Sequence, residues 1–194
     1  ILQPFSDAIK LFNKNIKSSE PMNMYMSYSS PMLSLMISIM ILSIIPFNKN
    51  SLFDNKHNIL LLFILASMNV YFILLISWSS NSKYSHFGAI RSIAQMISYE
   101  VSFFMIILFI AILSNSYSFN QITKSQSMLY FMYGNIIMMM MWLISCMAET
   151  NRSPFDFAEG ESELVSGFNI EYMGGLFALI FLSEYMSMLI LSLI

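Results

Sequence analysis

Residues 59–78 read ILLLFILASMNVYFILLISW. About 20 apolar residues are what an α-helix needs to cross the hydrocarbon of a bilayer. This run carries no charge, so it reads as a membrane helix and decides the class of the chain. The composition agrees: hydrophobic residues make up 57% and charged residues only 10%, against about 25% charged in soluble domains.

Outward from that run the same apolar character returns at 31–47, 93–114, 128–148 and 171–194. Polar stretches at 48–58, 79–92, 115–127 and 149–170 separate the runs and read as loops. The expected fold is an all-α polytopic integral membrane protein, a single membrane domain over 1–194 with about five transmembrane helices. Residues 3–17, QPFSDAIKLFNKNIK, are too polar to span. Phe5, Ala8, Ile9, Phe12 and Ile16 fall at helical spacing on one face, with Asp7, Lys10, Asn13, Lys14 and Lys17 on the other. Pro4 suits a first helical turn. This stretch is expected to be an amphipathic surface helix lying in the plane of the interface, followed by a polar loop at 18–30.

Basic residues then set the orientation. Lys10, Lys14, Lys17, Lys83, Arg91 and Arg152 fall on one side of that topology, and Lys49, Lys56 and Lys124 on the other. The first side is expected to face inward, which puts the surface helix and the 149–170 loop in one compartment.

Several function classes drop out. A net charge of −2 offers no attraction to nucleic acid. The single Cys146 allows no intrachain disulfide. His57 and His86 stand far apart in expected loops, with no second ligand at metal spacing. Neither a calcium-loop order nor a phosphate-binding glycine pattern occurs. Nucleotide, metal and iron–sulfur chemistry are therefore not expected in this chain. Its 19 Met, including the run Met138–Met141, together with an excess of Ile, Phe, Asn and Ser, suggest coding by an A/T-rich mitochondrial genome.

The residues that could carry chemistry are acidic. The segment 149–172, ETNRSPFDFAEGESELVSGFNIEY, holds Glu149, Asp156, Glu159, Glu161, Glu163 and Glu171, six of the 11 acidic residues. Carboxylates this close repel, which raises some of their pKa values and suits them to proton transfer. A solvated acidic loop between two helices has the same composition. Arg152 is the segment's only base and reads as a local ion pair with Glu149 or Asp156. Gly160 and Gly167 permit tight turns. Phe155, Phe157 and Phe168 are expected to cover apolar surface, with packing the commonest use of any one of them. Glu100 lies inside a span, where a charge costs at least about 2.5 kcal/mol. Arg91 is nine residues away, about 13 Å along a helix, too far for a direct pair. Gln95 and Tyr99, one turn apart, are placed to hold water or the carboxylate. Glu149 ends one span and Glu184 sits within the last, where each could also snorkel to the interface.

The run ETNR, then PFD, then AEGESELVSGFN closely resembles subunit 1 of the respiratory complex I family, NADH:ubiquinone oxidoreductase. GAIRSIAQMISYE (88–100) and ILQPFSDAIKLF (1–12) resemble two further motifs of that family. The resemblance implies a core membrane subunit of a proton-pumping NADH:ubiquinone reductase in the mitochondrial inner membrane, its acidic loop facing the matrix. It implies ubiquinone as substrate and no cofactor bound in this chain, with FMN and iron–sulfur clusters in partner subunits. The implied partners are the hydrophilic arm, the antiporter-like membrane subunits and the lipid bilayer. A quinone chamber is implied at Gln3, Phe5, Asp7, Arg152, Phe155, Asp156 and Phe168. A proton or coupling path is implied along Glu100, Glu149, Glu159, Glu161, Glu163 and Glu184, supported by Arg91, Gln95, Tyr99 and Glu171. The family pattern also implies one membrane helix before Ile1 and two after Ile194. Two other readings stay open: a stand-alone proton or ion transporter or channel, although no inverted repeat is visible, and the homologous subunit of a membrane-bound hydrogenase, which binds no quinone.

Overall fold

The computed structural model describes residues 2–15, 22–46, 55–158, 160–164 and 167–193. Among them the secondary structure is helical throughout: α1 (Gln3–Asn13), α2 (Met24–Ile44), α3 (Asn58–Ser80), α4 (Lys83–Ser114), α5 (Phe119–Ser125), α6 (Phe131–Gly134), α7 (Ile136–Glu149), α8 (Glu161–Leu164), a 3-10 turn at Gly167–Asn169, and α9 (Gly175–Leu193). Four helices, α2, α3, α4 and α9, are long and apolar enough to cross a membrane.

These four pack as a bundle with α7 on its flank: α2 against α3 and α9, α3 against α4, and α4 against α7. Small side chains let the backbones approach, as in membrane helices generally. Ser27, Ser30, Ser34 and Ser38 of α2 are all buried at the packing seam. Their hydroxyls donate back to their own helix, Ser34 Oγ to the Pro31 carbonyl and Ser38 Oγ to the Leu35 carbonyl, each at 2.8 Å. No polar hydrogen is then left facing lipid. Apolar side chains fill two regions. One is Ile41, Ile59, Leu62, Phe103, Ile107, Ala111 and Ile190, with Trp142 stacked on Phe103 at 4.9 Å. The other is Met22, Ile76, Ala158, Phe168, Tyr172, Leu176 and Ile180.

Three expectations are corrected. The polar stretch 79–92 is not a loop. Asn81, in the left-handed region at φ 51°, turns the chain, and Ser82 caps α4 by accepting from Ser85 N at 3.4 Å. Lys83, His86 and Arg91 are therefore helical. At 32 residues, α4 is about 48 Å long, well beyond the roughly 30 Å of hydrocarbon, and its polar start is the part that projects. The first apolar helix begins at Met24 rather than in the thirties, carrying Pro31 inside it. The run 128–148 is not one helix: α6 and α7 are separated by a break at Asn135 (φ −137°, ψ 63°). With 14 residues, α7 extends only about 21 Å.

The charged ends sort as the basic residues suggest. Asn23 N donates to Ser79 O at 2.9 Å, Arg91 pairs with Glu163, and the α1 carbonyl of Leu11 lies 3.6 Å from where a Cβ on Gly174 would stand. This joins α1, the start of α4 and the acidic segment at one end. Ile59 N donates to Tyr117 O at 3.2 Å and joins the 55–58 and 115–127 segments at the other. Ile16, Lys17 and Lys49 lie outside the described residues. On α1, Phe5, Ile9 and Phe12 are exposed, and Phe12 lies beside the start of α9, its Cδ1 4.0 Å from where a Cβ on Gly175 would stand.

Candidate functional site

The site grows from the contact between α4 and the C-terminus of α7. Gln95, buried on α4, donates from Nε2 to the carbonyls of Ala148 (2.8 Å) and Phe155 (2.7 Å). One side chain thus ties both the last turn of α7 and the following turn to α4. One helical turn on, Tyr99 meets the Phe155 ring edge-on at 5.5 Å. Between these anchors the chain reverses: Arg152 N donates to Met147 O at 3.0 Å, and Asn151 sits at φ 50°, a conformation Asn tolerates.

This reversal leaves Glu149 at the end of α7, opposite Glu100 of α4. Glu100 Oε1 and Glu149 Oε2 are both buried without a hydrogen-bond donor, as are Gln95 Oε1 and Asn151 Oδ1. Buried acceptors without donors are costly; a proton on a carboxyl, or water, satisfies them. The arrangement can therefore hold a proton or water.

Two cavities open from it. The inner one, about 90 Å³, lies between α2, α3, α4, α7 and α9, and its polar lining includes Ser34, Asn69, Glu149, Ser183, Glu184 and Ser187. The outer one, about 240 Å³, is lined by Arg152, Ser153, Asp156, Tyr185 and Met188 among others. Thr150, Asn151 and Glu184 line both, so these three residues form the partition between the acidic segment and the bundle interior. Asn69, Ser34, Ser183 and Ser187 were not anticipated. The available signal was Asn69 itself, an amide in the middle of a charge-free run; the serines give none, because serine is common throughout this chain.

The remaining anticipated residues separate into groups. Arg91 pairs with Glu163 of α8 and lies 5.5 Å from the centre of the Phe157 ring. Arg152 pairs with neither Glu149 nor Asp156 as the sequence suggested; its Nη2 lies 3.1 Å from Met188 Sδ on α9, because the reversal at 150–152 turns it towards that helix. Asp156 lines the outer cavity. Phe168 is 1% exposed and borders the inner one. Glu171 is half-buried in the turn before α9. Gln3, Phe5 and Asp7 are exposed on α1, and neither cavity is lined by α1. Glu159 lies outside the described residues, as does the side chain of Glu161. Among the described residues no group of three or more His, Cys, Asp or Glu is placed to hold a metal ion.

Known proteins bring a name to this arrangement. The NADH-ubiquinone oxidoreductase chain 1 of Anopheles gambiae is 45% identical over 194 residues, covering 100% of this chain and 62% of that protein. The proteins of the same name from Aedes aegypti and Balaenoptera physalus are 44% and 41% identical, covering 62% and 61% of their lengths. The chain thus spans about three fifths of the curated relatives it matches. The sequence pattern of the NADH dehydrogenase family matches residues 1–194, the whole of the described bundle and its acidic segment, and the chain belongs to that family.

Proposed function

We propose that this chain is part of the core membrane subunit of a proton-translocating NADH:ubiquinone oxidoreductase, walling the ubiquinone entry chamber and carrying a carboxylate path away from it. The observation that carries the reading is the pair of adjoining cavities partitioned by Thr150, Asn151 and Glu184. They place Asp156 and Arg152 on one side and Glu149 on the other, with Glu184 common to both. Quinone reduction consumes protons beside the acidic segment. The change in local charge is felt first at Asp156 and Glu184, which border the outer cavity, and Glu149 and Glu100 relay it inward. Electrons reach the quinone from FMN and iron–sulfur clusters in a hydrophilic arm, and antiporter-like membrane subunits receive the signal. No residue of this chain is a redox centre in this scheme.

Gln3, Phe5 and Asp7 on α1 are assigned to the chamber wall, together with Arg152, Phe155, Asp156 and Phe168. The support is proximity: α1 packs against the start of α9, and its exposed Phe5 suits an apolar tail. Glu159, Glu161 and Glu163 are assigned to the coupling path, with Arg91, Gln95, Tyr99 and Glu171 in support. The location is the mitochondrial inner membrane with the acidic segment facing the matrix. The basic residues support this: Lys10, Lys14, Lys83, Arg91 and Arg152 gather at that end and Lys56 and Lys124 at the other.

The test is photo-crosslinking of native membranes with a ubiquinone analogue, followed by peptide mapping. Labelling within 1–17 or 149–172, blocked by excess ubiquinone, is expected. Absence of labelling together with absence of the chain from any large NADH-oxidising assembly overturns the reading and leaves a stand-alone transporter.

A further inference from the structure

Asn69 stands eleven residues from either end of α3, Asn58–Ser80, about 16 Å from each by helical rise and so near the middle of the bilayer. A carboxamide there without partners is costly. Among the described residues its side chain makes no hydrogen bond to protein, yet it faces the inner cavity with Ser34, Glu149, Ser183 and Glu184.

The hydroxyls on the other polar walls of that cavity have already spent their donors. Ser34 Oγ donates to Pro31 O at 2.8 Å, Ser183 Oγ to Ile180 O at 2.7 Å and Ser187 Oγ to Glu184 O at 2.7 Å. Thr150 Oγ1 donates to Cys146 O at 2.8 Å. These hydroxyls therefore present acceptors to the cavity. N–H donors come from two carboxamides: Asn151 beside Glu149, its Nδ2 4.0 Å from Met96 Sδ, and Asn69 on the α3 side, which adds two N–H donors and a carbonyl. A volume of about 90 Å³ also exceeds the roughly 10–15 Å³ that one water requires, which leaves room for more than one.

We propose that Asn69 is a positioning residue that holds a short water chain in the inner cavity, donating to it from the α3 side and fixing its orientation between Glu149 and Glu184. This rests on the carboxylate path proposed above and names a member of it on a helix that carries no charge. A fixed donor sets which way the waters point, and so which carboxylate receives a proton.

The test compares Asn69→Leu, Asn69→Ser and Asn69→Gln in the assembled membrane complex, reading protons translocated per electron and the water density in the cavity by cryo-electron microscopy. Leu removes the donor with the same number and branching of heavy atoms. Ser is small and polar but, like its neighbours, turns its hydroxyl back onto its own helix. Gln keeps the donor. The expected result is a proton-to-electron ratio lowered at least twofold in the Leu and Ser variants, with disordered cavity water, and partial recovery with Gln. Should the Leu variant fail to assemble, the Ser variant decides alone. An unchanged ratio in the Ser variant, with ordered water retained, overturns the proposal. Failure of the path itself reads differently: Glu149→Gln and Glu184→Gln would then leave the ratio intact, while ordered water bonded to Asn69 would still be visible in the unsubstituted complex.

Discussion

Gly88 decides whether the acidic segment can dock. A Cβ added there would stand 2.9 Å from Phe168 N, 3.0 Å from Gly167 C and 3.1 Å from Gly167 Cα. All three are backbone atoms, so no rotamer change relieves the clash, and Gly167 is itself held at φ 59°. Gly88→Ala must therefore push the 3-10 turn away from α4. Overpacking of this kind costs about 1–3 kcal/mol, and lifting Phe168 out of its buried site costs a similar amount, about 1.5–3 kcal/mol. The better helix propensity of Ala does not enter, because α4 is helical whether or not the turn is docked. At 1.4 kcal/mol per factor of ten, the undocked population rises roughly 5- to 150-fold. Hydrogen–deuterium exchange of the amides of 167–172 in the intact complex reads that population, Tyr172 N being bonded to Asn169 O at 3.0 Å. Gly134→Ala serves as the control: its added Cβ meets nothing within 4 Å, and exchange at 167–172 should not change. Equal exchange in Gly88→Ala and the unsubstituted protein would refute the close approach on which this reasoning depends.

Gln95→Met keeps the volume but strips the donor from two carbonyls, at about 1–3 kcal/mol for each one left buried; exchange at 148–156 should rise and the melting temperature of the assembly fall. Tyr172→Phe loses the bonds to Ser79 Oγ (2.6 Å) and Ile76 O (3.0 Å), but Ser79 Oγ also donates to Ile76 O at 2.8 Å, so the loss should be only about 1 kcal/mol and insensitive to salt. The Arg91–Glu163 pair is exposed, at 36% and 62%, and pairs of this kind contribute about 0–1 kcal/mol. Arg91→Lys should therefore leave the melting temperature nearly unchanged, and any difference should vanish at high salt; a large, salt-resistant loss would contradict the exposed geometry.

The class of the fold was legible because lipid imposes a strict rule: charge-free runs of sufficient length must be helices. That rule says little about where a helix stops once it leaves the bilayer. The polar residues 83–92 satisfied every sign of a loop, yet they continue α4 as a projecting helix. The same rule misread 128–148, whose apolar character is continuous although its backbone breaks at Asn135. In the site, spacing along α4 excluded Arg91 as the partner of Glu100. Spacing could not supply its actual partner, Glu163, 72 residues distant. Arg152 was assigned to the nearest carboxylates, but the reversal at Asn151 turns it to Met188. Long-range pairings of this sort depend on how the segment folds back, and only the resemblance of its motif pointed to a defined shape.

That shape is held unevenly, which bears on how the site works. At its start the segment hangs on Gln95 and two buried carbonyls; at its end it hangs on Phe168 and the buried Tyr172 hydroxyl. Between them Ala158 and Leu164 are buried as well, and the ion pair of Arg91 with Glu163 is the exposed and weak contact. The Glu163 side chain is therefore the group whose release costs the segment least. Glu149 and Glu184 belong to α7 and α9 and border the inner cavity, and neither helix depends on that pair. Breaking that pair changes the charge beside the acidic segment while Gln95, Phe168 and Tyr172 still hold it, so Glu163→Gln should leave exchange at 148–156 and 167–172 unchanged; a rise at either end would show that the pair, and not the buried contacts, fixes the segment.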